Sequence, residues 1–286
     1  MSDRARIVAV TGASGYLGSQ ISDRFEAAGW RVLRLVRNPA PGDEWQRNYE
    51  LTQPLPPGAL RPATALVHAA YDFGAKGAKA WTANVHGTRR LLDAARADGV
   101  GRIIVLSSMS AYAGTTQLYG RVKLAIEDVT FAAGGRAIRP GFVYGDDPGG
   151  IAGALRKLAR IPVIPLVAGD SHQFPVHDED LVTAIVALVD GPEVPAVPVG
   201  IAQTRPVPFR DVMRGLAATA GRRPVLVPVP WRLIYWPLRI AEGLGLPLPL
   251  RSDSLLGLVR PASEVPNPEI IRGLGVQLRS FPGGSR

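Results

Sequence analysis

The sequence has no cysteine. Disulfides, thiolate nucleophiles and thiolate metal ligands are therefore excluded. Histidine is scarce as well: four are scattered along the chain, so no metal site is expected. No uncharged apolar run approaches the length of a membrane span. The opening MSDRARIVAV runs directly into a strand pattern without an apolar signal region, which points to a cytoplasmic protein. Polybasic blocks are missing too. The formal charge of +9 is spread along the chain, so nucleic-acid binding is not expected. Lysine is rare: of 33 cationic residues only four are lysines, namely Lys76, Lys79, Lys123 and Lys157.

What is present is an ordinary globular composition, 46% apolar and 20% charged over 286 residues, enough to bury a sizeable core. The first half alternates strand and helix patterns. Strands are expected at 6–10, 31–36, 65–69, 102–107 and 136–139, with a short one at 49–51. Helices are expected at 16–28, 78–98 and 116–133. This alternation implies an α/β fold with a doubly wound, Rossmann-type parallel sheet. Past about Gly145 prolines become frequent. Residues 1–145 are read as the Rossmann-type domain that carries this sheet. Residues 146–286 are read mostly as a smaller substrate-binding or lid region, interleaved with the first through a helix near 178–190.

Thr11, Gly12, Gly15 and Gly18 form T-G-x-x-G-x-x-G between a strand and a helix. The glycines allow a tight turn, close approach to a pyrophosphate and close helix–strand packing. The helix N-terminus offers N–H groups to that phosphate. The second strand, RVLRLVRNP, ends on Val36 and Arg37 with no acid to bind a ribose 2′-hydroxyl. Arg37 can pair a 2′-phosphate, so NADP(H) is favoured over NAD(H).

One of the four lysines, Lys123, lies four residues after Tyr119 in YGRVK. Chance alone gives about 0.1 such Tyr-x-x-x-Lys pairs for this composition. On a helix the two share a face. A tyrosine that acts as a base near neutrality needs its pKa lowered by roughly three units, about 4 kcal/mol. A neighbouring ammonium supplies much of that. Ser108, just beyond the strand RIIVLS, is placed to hold a substrate carbonyl against Tyr119. Asn84, in TANVHGTRRLL, is placed to connect Lys123 to water.

With these residues in view, the sequence resembles the extended branch of the short-chain dehydrogenase/reductase superfamily, the NAD-dependent epimerase/dehydratase family. The matches run in order: TGASGYLG, LVHAA, ANVHGTRRLL, LSSMSAY, YGRVK, RPGFVYG and FPVHDEDL. The resemblance implies Ser108, Tyr119 and Lys123 as a catalytic triad with Asn84 in support. The serine is assigned by counting back from Tyr112, and its neighbour Ser107 is one residue away. The resemblance also implies a cofactor cradle from Thr11, Gly12, Ser14, Gly15, Tyr16, Leu17 and Gly18. Arg37, Glu50 and Leu51 would flank the adenosine. His68, Ala69, Ala70, Ser107, Tyr119, Lys123, Pro140, Gly141 and Val143 would complete the cradle. Substrate contacts are expected from Tyr71, Phe73, Met109, Tyr144, His172 and Phe174.

Departures from the family pattern limit the substrate. Arg139-Pro140-Gly141-Phe142 replaces the R-Y-F-N-like run of nucleotide-sugar enzymes. Asp170-Ser171-His172-Gln173 lacks their diphosphate-gripping arginine. Met109 and Ser110 stand where dehydratases carry acids. The leading expectation is an NADP(H)-dependent oxidoreductase that reduces a small-molecule ketone or oxidises a secondary alcohol. The alternatives are a nucleotide-sugar 4-epimerase or 4-ketoreductase, and a non-catalytic NADPH-binding sensor or assembly protein. The family also implies a homodimer through the helices carrying Asn84 and Tyr119. Near the C-terminus, Trp231, Ile234, Tyr235 and Leu238 recur at helical spacing, interrupted by Pro237. This segment is read as a core or lid helix. The alternative is an interfacial helix in weak contact with a membrane surface, with Arg232 and Arg239 near headgroups.

Overall fold

A computed structural model describes residues 6–146, 149–244, 246 and 252–282. The chain opens with β1 (Ile7–Thr11), α1 (Tyr16–Ala27), β2 (Arg31–Val36), β3 (Gln46–Asn48) and β4 (Ala65–His68). A helical stretch follows without a break: α2 (Ala78–Ala80), one π-helical turn (Trp81–His86) and α3 (Gly87–Ala97). Next come β5 (Arg102–Leu106), α4 (Leu118–Ala132), β6 (Arg136–Pro140) and β7 (Phe142–Tyr144). The second half adds α5 (Gly150–Leu158), β8 (Val163–Leu166), β9 (His172–Gln173), β10 (Pro175–His177), α6 (Asp178–Asp190) and β11 (Val199–Ile201). It ends with β12 (Val207–Pro208), α7 (Phe209–Thr219), β13 (Val225–Pro228), α8 (Trp231–Gly243), α9 (Ser252–Val259) and α10 (Pro268–Gly273).

Seven strands form one parallel sheet in the order β11-β6-β5-β4-β1-β2-β3. The strand alternation sorts the core into two layers. Val8 and Val10 face the layer holding α1 and α6, with Ile21, Phe25, Leu181 and Ile185. Ile7 and Ala9 face the layer holding α3 and α4, with Leu91, Leu92, Val122 and Ile126. A period of two on a doubly covered parallel strand produces this division. The chain past residue 145 returns to the sheet twice: α6 packs on α1, and β11 pairs with β6. A third cluster, built round Phe142, Ile164, Phe209 and Leu216, fills the smaller region.

Three expectations are corrected. The third strand lies at Gln46–Asn48, not at 49–51. Tyr49 is instead a buried side chain in the α3–α4 layer. The helix expected at 78–98 contains a π-helical turn with Asn84 inside it. The core reading of α8 also fails. The helix runs through Pro237 but none of its residues is buried. The far end of the segment, at 245 and 247–250, lies outside the described residues.

Candidate active site

The turn after β1 shows why glycine is required. Gly12 adopts φ +67, and a Cβ there would meet the Ala70 backbone at 3.1 Å. A Cβ on Gly18 would stand 2.0 Å from the Gly12 carbonyl oxygen, so α1 could not pack so closely on β1. The first turn of α1 carries no acidic residue and no side-chain cap, which leaves it open to an anion. Thr11 braces this turn from the strand side. Its Oγ1 accepts from the backbone N–H of Ala69 and Ala70, each at 3.1 Å. Its own proton is then directed to His68 Nδ1 at 2.7 Å, and His68 Nε2–H donates to Thr88 Oγ1 at 3.0 Å. Burial pushes His68 down to about 3, with the Lys123 charge adding to the effect. His68 is thus a neutral brace between strand and helix, and its side chain is fully committed within the protein.

At the other end of the turn, Tyr16 donates to Asp178 Oδ2 at 2.6 Å, and Gln20 donates to the same oxygen at 3.2 Å. Asp178 belongs to the FPVHDEDL match, so that motif ties α6 to the glycine turn. Burial, then the Asp178 hydrogen bond, raises the Tyr16 pKa. Leu17 packs into the α1–α6 layer. A cavity of about 340 Å³ lies beyond the ends of β1 and β2. It is lined by Ala13, Ser14, Arg34, Val36, Arg37, Asn38 and Gln46, none of them acidic. Arg34 is already held by Glu26 at 2.8 Å, whereas Arg37 is exposed. Glu50 is exposed, and the Leu51 carbonyl accepts from Arg90 at 2.7 Å.

Tyr119 and Lys123 sit on the first turns of α4, one turn apart. Ser108 lies in the loop after β5, and its hydroxyl is near enough to Tyr119 to pull the phenol's pKa down. Its neighbour Ser107 turns away and donates to buried Glu127, so Ser108 is the serine brought to Tyr119. Burial pushes Tyr119 up to about 12. The Ser108 hydroxyl opposes this, and the Asp253 carboxylate adds to it. Lys123 is buried, 5% exposed, and its Nζ donates to the Leu106 carbonyl at 2.6 Å. Burial pushes it down to about 7 against the opposing pull of Glu127. The resting geometry therefore gives a protonated phenol over a lysine that titrates near neutrality. The lowered tyrosine expected from the spacing is not what this geometry produces.

Glu127 is one further turn along α4. It is 2% exposed and makes a two-pronged contact with Arg139 on β6, at 2.8 and 2.7 Å. Asp253 at the start of α9 accepts from the backbone N–H of Leu118 and Tyr119 at 3.1 and 3.0 Å. It thus caps the helix that carries the tyrosine. Sequence reasoning missed both acids. Glu127 lies four residues after Lys123, a spacing that could have flagged it. Asp253 is 134 residues from Tyr119, and no local pattern announces it.

Asn84 is buried, and its amide is taken up by Asp72 and Ala80. Its Oδ1 accepts from Asp72 N at 2.7 Å, and its Nδ2 donates to Asp72 O at 3.2 Å and Ala80 O at 3.0 Å. Asn84 therefore clamps the loop carrying Tyr71 and Phe73. Their rings lie 5.1 and 5.9 Å from that of Tyr119, and Lys123 Nζ sits 4.6 Å over Tyr71. Met109 donates its backbone N–H to Pro140 O at 3.3 Å. Gly141 donates to Ile201 O, and Val143 pairs with Val176. His172 is held on the Ala262 carbonyl at 3.0 Å, beside Phe174. Tyr144 packs between His177 and Phe281, outside the ring cluster round Tyr119. A second cavity, about 510 Å³, is lined by Arg205, Arg272 and Phe281 among others, and contains none of the Ser108–Tyr119–Lys123 group.

Residues 8–197 match the model of the NAD-dependent epimerase/dehydratase family. The chain belongs to that family. Its relatives include a ceramide reductase of Caulobacter vibrioides, 31% identical across 80% of this chain and 75% of that protein. A 2-alkyl-3-oxoalkanoate reductase of Stenotrophomonas maltophilia is 26% identical across 86% of this chain and 85% of its own. Among solved structures, the UDP-glucose 4-epimerase of Thermus thermophilus with NAD superposes with a TM-score of 0.68 at 20% identity, covering 97% of this chain and 96% of that one. At that identity the likeness establishes the fold. For this family member, the family model and the reductase-named relatives support a nicotinamide-dependent enzyme of the oxidoreductase or epimerase type.

Proposed function

We propose that this protein is an NADP(H)-dependent reductase of a ketone carried on an apolar, alkyl-bearing molecule. The observation that carries the reading is the Tyr119 ring packed among Tyr71 and Phe73 with the buried Lys123 ammonium 5.8 Å from its centroid, and the Ser108 hydroxyl acts on the same phenol. The cofactor fits the residues present: a glycine turn that a Cβ would fill, an uncapped helix N-terminus and an acid-free cavity beside Arg37. Thr11 to Gly18 would hold the pyrophosphate. Ser14 and Arg37 would hold a 2′-phosphate. When bound, the nicotinamide supplies hydride to the carbonyl carbon.

The protein's own residues handle the oxygen. Ser108 donates a hydrogen bond to the carbonyl and orients it toward Tyr119. Tyr119, protonated across the ordinary pH range, gives its proton to the oxygen as the carbonyl becomes an alkoxide. Lys123 in its ammonium form stabilises the phenolate left behind. The product is a secondary alcohol. Tyr71 and the exposed Phe73 offer apolar surface for an alkyl chain. The names of the two reductase relatives agree with such a substrate. The 4-epimerase reading has less support, since Arg210, the arginine near the 170–173 segment, is engaged by Asp170.

The test is NADPH oxidation with 3-oxoalkanoates of increasing chain length, compared with 4-keto nucleotide sugars and with NADH. Turnover that rises with chain length and prefers NADPH is expected. Turnover of only the nucleotide sugars would refute the substrate class.

A further inference from the structure

The second half of the chain places an apolar helix face in water. On α8 and at its C-cap, Leu233, Trp236, Ile240 and Leu244 are 66, 62, 63 and 72% exposed. Their spacing of three, four and four puts them on one stripe. A surface helix ordinarily turns its apolar stripe to the core and its charges outward. Here the opposite side, with Trp231, Ile234, Tyr235 and Leu238, is only half-buried, so the outward stripe is additional. Just before the helix ends β13, which pairs in parallel with β8. Val225 is opposite Val163 in that ribbon, and they are 62 and 53% exposed. Exposed apolar surface of this extent marks an interaction site.

The charge pattern selects the partner. Residues 220–241 contain four arginines, Arg222, Arg223, Arg232 and Arg239, and no acidic residue. All four are exposed, and among the described residues none of them makes an ion pair. The one carboxylate of the helix, Glu242, is turned to Ser252, accepting from its N–H at 2.9 Å and its hydroxyl at 2.6 Å. We infer that α8 and the β8–β13 ribbon form a docking surface for an anionic lipid bilayer. The apolar stripe enters the headgroup–acyl boundary, and the arginines meet lipid phosphates. A second copy of this chain would bring the same arginines to the face and no carboxylate to meet them. No helix among the described residues is long and apolar enough to cross a membrane, so the contact is with the surface. The docked helix is also wired to the active site. Ser252, held by Glu242, precedes Asp253, which caps α4 at Leu118 and Tyr119.

The surface is inferred independently of the reductase reading, and its test uses neither cofactor nor ketone. The full-length protein is sedimented with vesicles of phosphatidylcholine, with and without phosphatidylglycerol. The expected result is pelleting with the anionic vesicles that weakens in high salt. Arg232→Gln/Arg239→Gln should reduce the affinity roughly 25-fold, at about fivefold per arginine. Trp236→Ser/Ile240→Ser should abolish pelleting while circular dichroism stays native. If that variant unfolds, the arginine variant, altered only at exposed positions, decides the matter. Wild-type protein that stays in the supernatant with anionic vesicles would overturn the inference. So would pelleting that neither variant changes, or a concentration-dependent dimer that Trp236→Ser/Ile240→Ser dissolves.

Discussion

Replacing Glu127 with glutamine removes a charge on which three groups depend. The carboxylate receives both prongs of Arg139 and the Ser107 hydroxyl, and its field favours the ammonium form of Lys123. Removing one member of a buried pair costs about 3–5 kcal/mol, chiefly by leaving the other charge uncompensated. An amide oxygen still accepts one bond, so the lower end, about 3 kcal/mol, is expected. For a chain of 286 residues the unfolding entropy is about 0.6 kcal/mol/K, so Tm should fall by about 5 °C. The same substitution acts on chemistry. Lys123 already sits near 7, and without the carboxylate it loses its proton at lower pH. The alkaline limb of kcat/KM for reduction, which tracks loss of the ammonium, should then move below its wild-type position. The assays are differential scanning calorimetry and a pH–rate profile. Adding Arg139→Met should cost less in the Glu127→Gln background than alone, because the two residues are coupled. A Tm within about 1 °C of wild type, or a limb that moves up in pH, would refute the assigned role.

Three further outcomes follow from the same geometry. Asp253→Ala strips the cap from α4 and should lower stability by about 1–2 kcal/mol in urea denaturation, with kcat falling more than KM rises because Tyr119 N–H is one of the released donors. His68 is depressed in the folded state to about 3. Its contribution is therefore present above the unfolded value near 6.5 and is lost as pH falls toward 3. The wild type should lose about 2 kcal/mol between pH 7 and pH 5 from this group alone, and His68→Leu should lose that slope. Arg37→Ala should raise KM for NADPH about 10- to 100-fold, the worth of a charge-assisted hydrogen bond, while leaving KM for NADH nearly unchanged.

The nucleotide-binding half was legible because its signals are local. The glycine turn, the alternation of strands and helices, and the one-turn spacing of Tyr119 and Lys123 all lie within short windows. Each is enforced by backbone sterics or by one helical face. What escaped was either non-local or a matter of environment. Asp253 reaches α4 from the far end of the chain, and Arg139 meets Glu127 only once β6 lies beneath α4. The ionisation of Tyr119 and Lys123 depends on burial, which spacing does not encode. An ammonium four residues away would lower a solvated tyrosine, yet here desolvation dominates both groups. Asn84 fell on the expected element, but its amide is consumed by the Asp72 loop. The apolar periodicity in α8 was visible. Which side faces water was not, because both sides are apolar.

The central claim, that Tyr119 protonates the ketone oxygen, is tested most directly by Tyr119→Phe on a 3-oxoalkanoate that the wild type turns over. The substitution keeps the ring that packs on Tyr71 and Phe73 and removes only the hydroxyl. Single-turnover reduction should slow by about 10²- to 10⁴-fold, the worth of a positioned general acid, while NADPH binding measured by fluorescence is unchanged. A variant that reduces the ketone at the wild-type rate would contradict the account.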